Sequence, residues 1–323
     1  MPISTIDNSS ISGLGYGFKN RIINGGMQVW QRGTSFSSPG NIVYTVDRWY
    51  LGVAGTSPAS AAQVAGPTGF EFALRVTGAA GNSTVQINQR IESNNTADLV
   101  GHPVTIQANI QVSSAQTVGW ALFHCNTKDS SALTSIASGT WSATTTAQTL
   151  TATIAALPAA VANGMMLLIS PNNGAAFTSG TITVTGVQLE KGTVATSFDY
   201  RPYGTELQLC QRYYERRTVG STNNERLGTT GLSNGSSGAQ IPIQHLVQKR
   251  ASPSSVNVGN LSSTSTYDGT GSGTPTSWSL DNTGIFITNI QISGISTVLG
   301  RAIHWTWNNV TPLPFVEINS ELT

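Results

Sequence analysis

The chain has 323 residues, enough for two ordinary domains, and only 10% are charged, against roughly 25% in an average soluble domain. Its 16 basic and 15 acidic residues leave a net charge of +1, which excludes the concentrated basic field that binding to nucleic acid requires. No apolar run approaches the roughly 20 residues of a membrane-spanning helix, and the first residues lack the basic-then-apolar pattern of a secretory leader. The expectation is a soluble protein with neither nucleic acid nor membrane as partner.

The first 19 residues are rich in Ser and Gly and carry little periodicity. Such a segment cannot order itself alone, and it reads as an anchoring arm held by a neighbour. Short runs with strand character follow, separated by Gly, Ser and Asn turns: 42–46, 70–76, 84–89, 104–112, 118–123, 147–154, 164–169 and 181–189. The run Val104-Thr105-Ile106-Gln107-Ala108-Asn109-Ile110-Gln111-Val112 alternates over its whole length, as a half-buried strand does. Residues 20–200 are therefore predicted to form a jelly-roll-like β-sandwich.

After Pro202 the pattern changes. Thr205-Glu206-Leu207-Gln208 has the form of a capping box, so residues 201–217 are predicted to hold a short linking helix. Residues 218–323 then give strand-like runs at 239–247, 254–258, 277–280, 284–293 and 302–307, which read as a second, smaller β domain. The polar stretches Ser221–Gly238 and Gly259–Ser277 read as exposed loops. The fold class is all-β throughout, joined by one helix.

Chemistry is sparse. His102, His124, His245 and His304 are scattered, with no ligand spacing for a metal. His124 and Cys125 are adjacent, and strand neighbours point to opposite faces. Cys125 and Cys210 fit no disulfide framework and read as buried free thiols. No nucleophile elbow or phosphate loop occurs. Glu71, Glu92, Asp98 and Asp129 are glycosidase candidates by residue type alone. A non-enzymatic protein without cofactor or metal is expected.

Seven tryptophans are many for so few charges. A flat indole can carry the C–H face of a pyranose while Asn, Gln and Asp bond its hydroxyls. Trp49 and Trp120 read as core, and Trp305 and Trp307 share one strand face. Trp141, in a Ser/Thr/Gly setting, and Trp278 are the candidate glycan platforms.

Several motifs in order resemble a domain of bacteriophage tail-fibre and other virion surface proteins, itself similar to carbohydrate-binding jelly rolls. They are Asn20-Arg21-Ile22-Ile23-Asn24-Gly25-Gly26-Met27, Tyr44-Thr45-Val46-Asp47-Arg48-Trp49, Gln89-Arg90-Ile91-Glu92, and Val187-Gln188-Leu189-Glu190-Lys191-Gly192. The segment Pro202–Tyr214 is similar to that family's usual link, and Val316–Leu322 to its acidic close. The likeness covers roughly residues 20–215 well and the remainder loosely. It implies a virion surface component, made in the host cytoplasm, homotrimeric, bound to other virion proteins through the arm. It implies no shared active site. A tail fibre attaching to host surface glycan is the leading expectation, a capsid-decorating head fibre or cement protein the alternative, and a glycan-degrading tailspike the third. Within the motifs, Asn24-Gly25-Gly26 suits a tight turn with positive φ, and Asp47-Arg48 suits ion pairs that fix strand ends.

Overall fold

The computed structural model describes residues 18–38, 42–218, 226–235, 237–269, 272–307 and 311–322. The expected arm, residues 1–19, lies outside these apart from Phe18 and Lys19, as do 221–225, 236, 270 and 271 of the two expected loops. The chain divides into two compact units, Met1–Glu206 with Leu322–Thr323, and Leu207–Glu321.

Among the described residues, twelve strands build the first unit: β1 (Ser35–Ser38), β2 (Val43–Tyr44), β3 (Tyr50–Gly55), β4 (Ala59–Ala65), β5 (Phe72–Thr77), β6 (Asn82–Ile91), β7 (Val104–Val112), β8 (Gln116–Cys125), β9 (Leu133–Ala143), β10 (Gln148–Ile154), β11 (Met165–Ser170) and β12 (Thr181–Lys191). They form two six-stranded sheets, ordered β1-β4-β5-β12-β7-β10 and β2-β3-β6-β11-β8-β9. Alternation decides what each sheet buries. On β7 the side chains Val104, Ile106, Ala108 and Ile110 face the core, and on β8 so do Val118, Trp120 and Leu122. Trp49 and Leu51 are fully buried with them, each contributing about 2–3 kcal/mol of transfer free energy.

The turn Asn24-Gly25-Gly26 differs from the expectation in where the strain lies. Positive φ falls on Asn24 (56°) and Met27 (53°), not on the glycines. Asn tolerates this region because its side chain bonds locally: Asn24 Nδ2 donates to Val29 O at 2.9 Å and Asp47 O at 3.0 Å, while Oδ1 accepts from Gln28 N and Val29 N. Asp47 does hold a cation, Arg32, at 2.8 Å.

The helix α1 (Tyr203–Gln211) is shorter than expected and starts two residues before Thr205. Thr205 therefore lies in its first turn and is not the cap. The end of the expected 201–217 helical segment is instead strand β13 (Tyr214–Thr218), because Tyr214–Thr218 pair along their length with the closing strand.

In the second unit follow β14 (Gly231–Ser233), β15 (Gly238–Gln244), β16 (Ser255–Gly259), β17 (Thr264–Tyr267), β18 (Ser272–Gly273), β19 (Ser277–Thr283), β20 (Ile287–Ser293), β21 (Ala302–Trp307) and β22 (Phe315–Asn319). Sheet orders are β13-β22-β16 and β18-β17-β21-β14-β15-β20-β19. The two expected loops thus contain strands β14, β17 and β18. Thr264 and Thr266 are buried and pair with β21; their hydroxyls bond Leu261 O and Gly273 O, so a polar sequence makes an internal strand. Beneath β13, the buried Glu215 carboxylate takes Lys249 Nζ and Arg217 Nε, both at 2.6 Å.

Candidate functional site

The outer face of the second sheet of the first unit carries a groove of about 260 Å³. Register builds it. Leu168, Ala121 and Ser138 lie in one row across β11, β8 and β9, and Ser170, Gly119 and Thr140 lie in the next. Residues directly opposite in a ladder share a face, so these two rows form the floor and one flank.

Two glycines shape the space. A Cβ on Gly119 would lie 2.6 Å from Asn173 Oδ1 and 2.9 Å from Ser170 Oγ; its absence lets both polar groups descend to the sheet. A Cβ on Gly139 would lie 2.6 Å from Trp120 Cζ2, so that glycine holds the Trp120 ring against its strand. Glycine inside a strand often marks such a close approach. Asn173 itself stands in a turn with φ 49°, beside Asn172 at φ 50°. That turn is fastened by Gln116 Oε1, which accepts from Asn172 N at 2.9 Å, and by Asn172 Nδ2 donating to Ala176 O.

The resulting lining is electrically neutral. Ser138, Thr140, Ser170 and Asn173 supply hydroxyl and amide groups, and Leu168 with Ala121 supplies apolar contact. None of the lining residues titrates. Asn88, in the same row as Leu168, is 1% exposed and its Oδ1 has no hydrogen-bond partner among the described residues. The chemistry available is directional hydrogen bonding over a small apolar floor, the usual make-up of a small-ligand site.

The sequence-derived platforms fall elsewhere. Trp141 is 6% exposed on the inner face, its ring 6.1 Å from that of Trp120 and its Nε1–H donating to Thr151 O at 2.9 Å. It braces the groove from beneath and offers no open face, which corrects its reading as a platform. Trp278 belongs to the second unit, on β19, paired with Ile292 and half-buried against that unit's core. The structure does not bring the two together in one unit.

Of the carboxylates, Asp129 accepts from Ser93 N at 2.7 Å, Asp98 pairs with Arg21 at 2.6 Å, and none of Glu71, Glu92, Asp98 or Asp129 lines the groove. His124 Nδ1 bonds Cys125 O, and burial pushes the Cys125 thiol up from its ordinary range. Both cysteines are free and buried. Among the described residues no cluster of His, Cys, Asp or Glu could hold a metal ion, and no helix is long and apolar enough to cross a membrane.

No family model matches the chain, and no curated protein matches it. Among solved structures the chain is similar to the enzymatically active domain of bacteriophage CBA120 tailspike protein 4, at 13% identity and a TM-score of 0.39, over 54% of this chain and 22% of that one. It is similar to TmCBM61 in complex with β-1,4-galactotriose (10% identity, TM-score 0.34, 54% of this chain and 99% of that). It is also similar to the family 11 carbohydrate-binding module of the cellulosomal cellulase Lic26A-Cel5E of Clostridium thermocellum (10% identity, TM-score 0.33, 50% and 97%). The chain spans about a fifth of the tailspike chain it resembles.

Proposed function

We propose that this is a bacteriophage virion surface protein of the tail-fibre kind, homotrimeric and non-enzymatic, whose first unit holds host surface glycan in the groove on its second sheet. The observation that carries the glycan reading is the neutral lining of that groove. Three hydroxyls and an amide, all short and fixed by sheet or turn, face a strip of apolar floor. Sugar hydroxyls donate and accept at once, whereas the C–H faces of the ring want apolar contact. A groove without charge leaves no unpaired ion when such a ligand displaces water. The virion setting rests on the motifs of residues 20–215.

Attachment needs no bond to be broken. Its mechanism is positioning: Gly119 admits the Asn173 amide and the Ser170 hydroxyl to the sheet surface, and Trp141 keeps Trp120 in place below. Weak individual sites then gain strength from three copies on one particle.

Labelled full-length protein, incubated with a panel of candidate bacterial hosts, tests the reading. Saturable binding that free surface polysaccharide competes away, and that Asn173→Gly weakens, is the expected result. A well-folded protein that binds no host would move the assignment to capsid decoration. Release of reducing ends from host polysaccharide would make it a tailspike.

A further inference from the structure

We propose that the opposite face of the same sandwich carries a second binding site, built for one neutral sugar unit. This extends the glycan reading above and rests on it. The outer face of the first sheet holds a cleft of about 110 Å³, floored by Asn109, Gln111, Thr183 and Thr185 and walled by Gly66 and Pro67.

The floor is a two-by-two block. Thr183 lies opposite Gln111 and Thr185 opposite Asn109 in the antiparallel pairing of β12 with β7. Strand geometry sets these four groups about 4.8 Å apart across the sheet and about 6.7 Å apart along it, the scale of one hexose ring. Thr185 closes the regular register; a bulge follows before Gln188, with Gly186 at φ 58° against the Phe70 ring. The wall is a closed turn, with Gly66 N donating to Glu71 O at 3.0 Å and Phe70 N to Pro67 O at 2.9 Å. A Cβ on Gly66 would lie 2.4 Å from Phe70 O, so the turn is as tight as glycine permits.

Each floor group is fixed by one bond and keeps capacity for another. Gln111 Nε2 donates to Thr145 O at 2.8 Å, and Asn109 Nδ2 to Thr149 Oγ1 at 3.4 Å, so the two amide oxygens remain as acceptors. Thr185 Oγ1 donates to Phe72 O at 3.0 Å and keeps its lone pairs. Thr183 Oγ1 accepts from Arg75 Nε at 3.4 Å and keeps its proton. The second N–H of each amide also remains, so the cleft presents three acceptors, the two amide oxygens and Thr185 Oγ1, and three donors, those two N–H groups and the Thr183 hydroxyl. A hydroxyl-bearing ligand satisfies both kinds. A carboxylate, sulfate or phosphate group only accepts, and would leave the three acceptors of the cleft unmatched. No residue lining the cleft is charged, and the nearby Arg75 guanidinium is turned to the Thr183 hydroxyl.

The two sites lie on outer faces that point in opposite directions from one core, so one protomer would engage two glycan chains rather than two places on one chain.

Isotope-labelled full-length protein titrated separately with glucose, galactose, mannose and N-acetylglucosamine, and with sodium sulfate as the anion, reads both faces through side-chain amide signals. Expected are saturable shifts of the Asn109 and Gln111 amides with at least one sugar and none with sulfate. Thr183→Val, which removes the hydroxyl donor, weakens the Asn109 response at least threefold and leaves the Asn173 response unchanged; Gln111→Leu does the same. Sugar shifts at Asn173 alone would overturn the second site while leaving the groove reading intact. Shifts at Asn109 and Gln111 with sulfate but no sugar would overturn its neutral character. No shift at either face would overturn both.

Discussion

Gly25 lies against Val187: a Cβ on that glycine would sit 2.1 Å from the Val187 carbonyl oxygen. The two residues also share a backbone bond, Val187 N to Gly25 O at 2.9 Å, and Asn20 Nδ2 donates to the same Val187 oxygen at 3.0 Å. The opening motif of the sandwich and its closing strand are thus one structural joint. Gly25→Ala is expected to destabilise the first unit by about 1–3 kcal/mol, the cost of overpacking a site that cannot relax. Thermal unfolding should show it in the first unit's transition, with the second unit's unchanged.

The groove separates binding from stability. Asn173→Gly keeps a residue at ease with φ 49° and removes only the amide. Its expected effect is a roughly threefold to tenfold weaker glycan affinity, the worth of one hydrogen bond, at unchanged melting temperature. Trp141→Ala should behave in the opposite order. It empties the inner face beneath Trp120 and costs about 3–5 kcal/mol, measurable by denaturant unfolding before any binding is assayed.

Glu215 and Lys249 are both fully buried, 2.6 Å apart, with Lys249 Nζ also donating to Gln211 O at 2.6 Å. Removing one partner strands the other charge. Lys249→Met is expected to lower the stability of the second unit by about 3–5 kcal/mol. The double variant Glu215→Leu with Lys249→Met should lose less than the two single variants together, because no charge is left uncompensated. A double-mutant cycle in urea gives the comparison.

Acidification should move the two units in opposite directions. Burial raises the Asp47 carboxyl to about 6, against the pull of Arg32 and the Gln31 backbone N–H. Its folded form binds a proton more readily than the unfolded chain does, so its contribution is full below the unfolded value near 4 and fades as pH rises through about 6. Between pH 7 and 5 this group therefore stabilises the first unit. In the second unit, burial holds His245 below its ordinary range, and Lys249 and Arg217 hold Glu215 below its own against the opposing burial. His245 contributes stability that falls away as pH drops below about 6.5, and Glu215 stability that falls away below about 4.3. Calorimetry at pH 7 and pH 5 should show the first unit's transition rise and the second's fall, and Asp47→Asn should abolish the gain of the first.

Much of the fold was legible because its strands alternate. Val104–Val112 declared itself by period alone, as did the all-β class. The strands Ala59–Ala65 and Leu133–Ala143 did not, being rich in Ala, Ser and Gly, residues with little preference for a pleated surface. The polar run after Gly259 misled for a different reason. Thr264 and Thr266 satisfy their hydroxyls internally and so tolerate burial, which composition cannot reveal. At the site, tryptophan was a poor guide, since an indole is as useful to a core as to a sugar. Gly119 and Gly139, each interrupting a strand, were the better signal: a missing side chain marks where something else must come close. Asn173 was not singled out, because its place beside the groove depends on the bond from Asn172 N to Gln116 of distant β8 as well as on the local bond to Ala176 O.

Calorimetric titration of the full-length protein with purified surface polysaccharide from a host that it binds tests the central claim most directly, comparing the wild type with Asn173→Gly and with Gly119→Ala. Saturable binding by the wild type, weakened about threefold to tenfold in Asn173→Gly and at least as much in Gly119→Ala with both variants folded, is the result the groove requires. Equal binding by all three would place recognition elsewhere on the molecule and contradict the assignment of the groove.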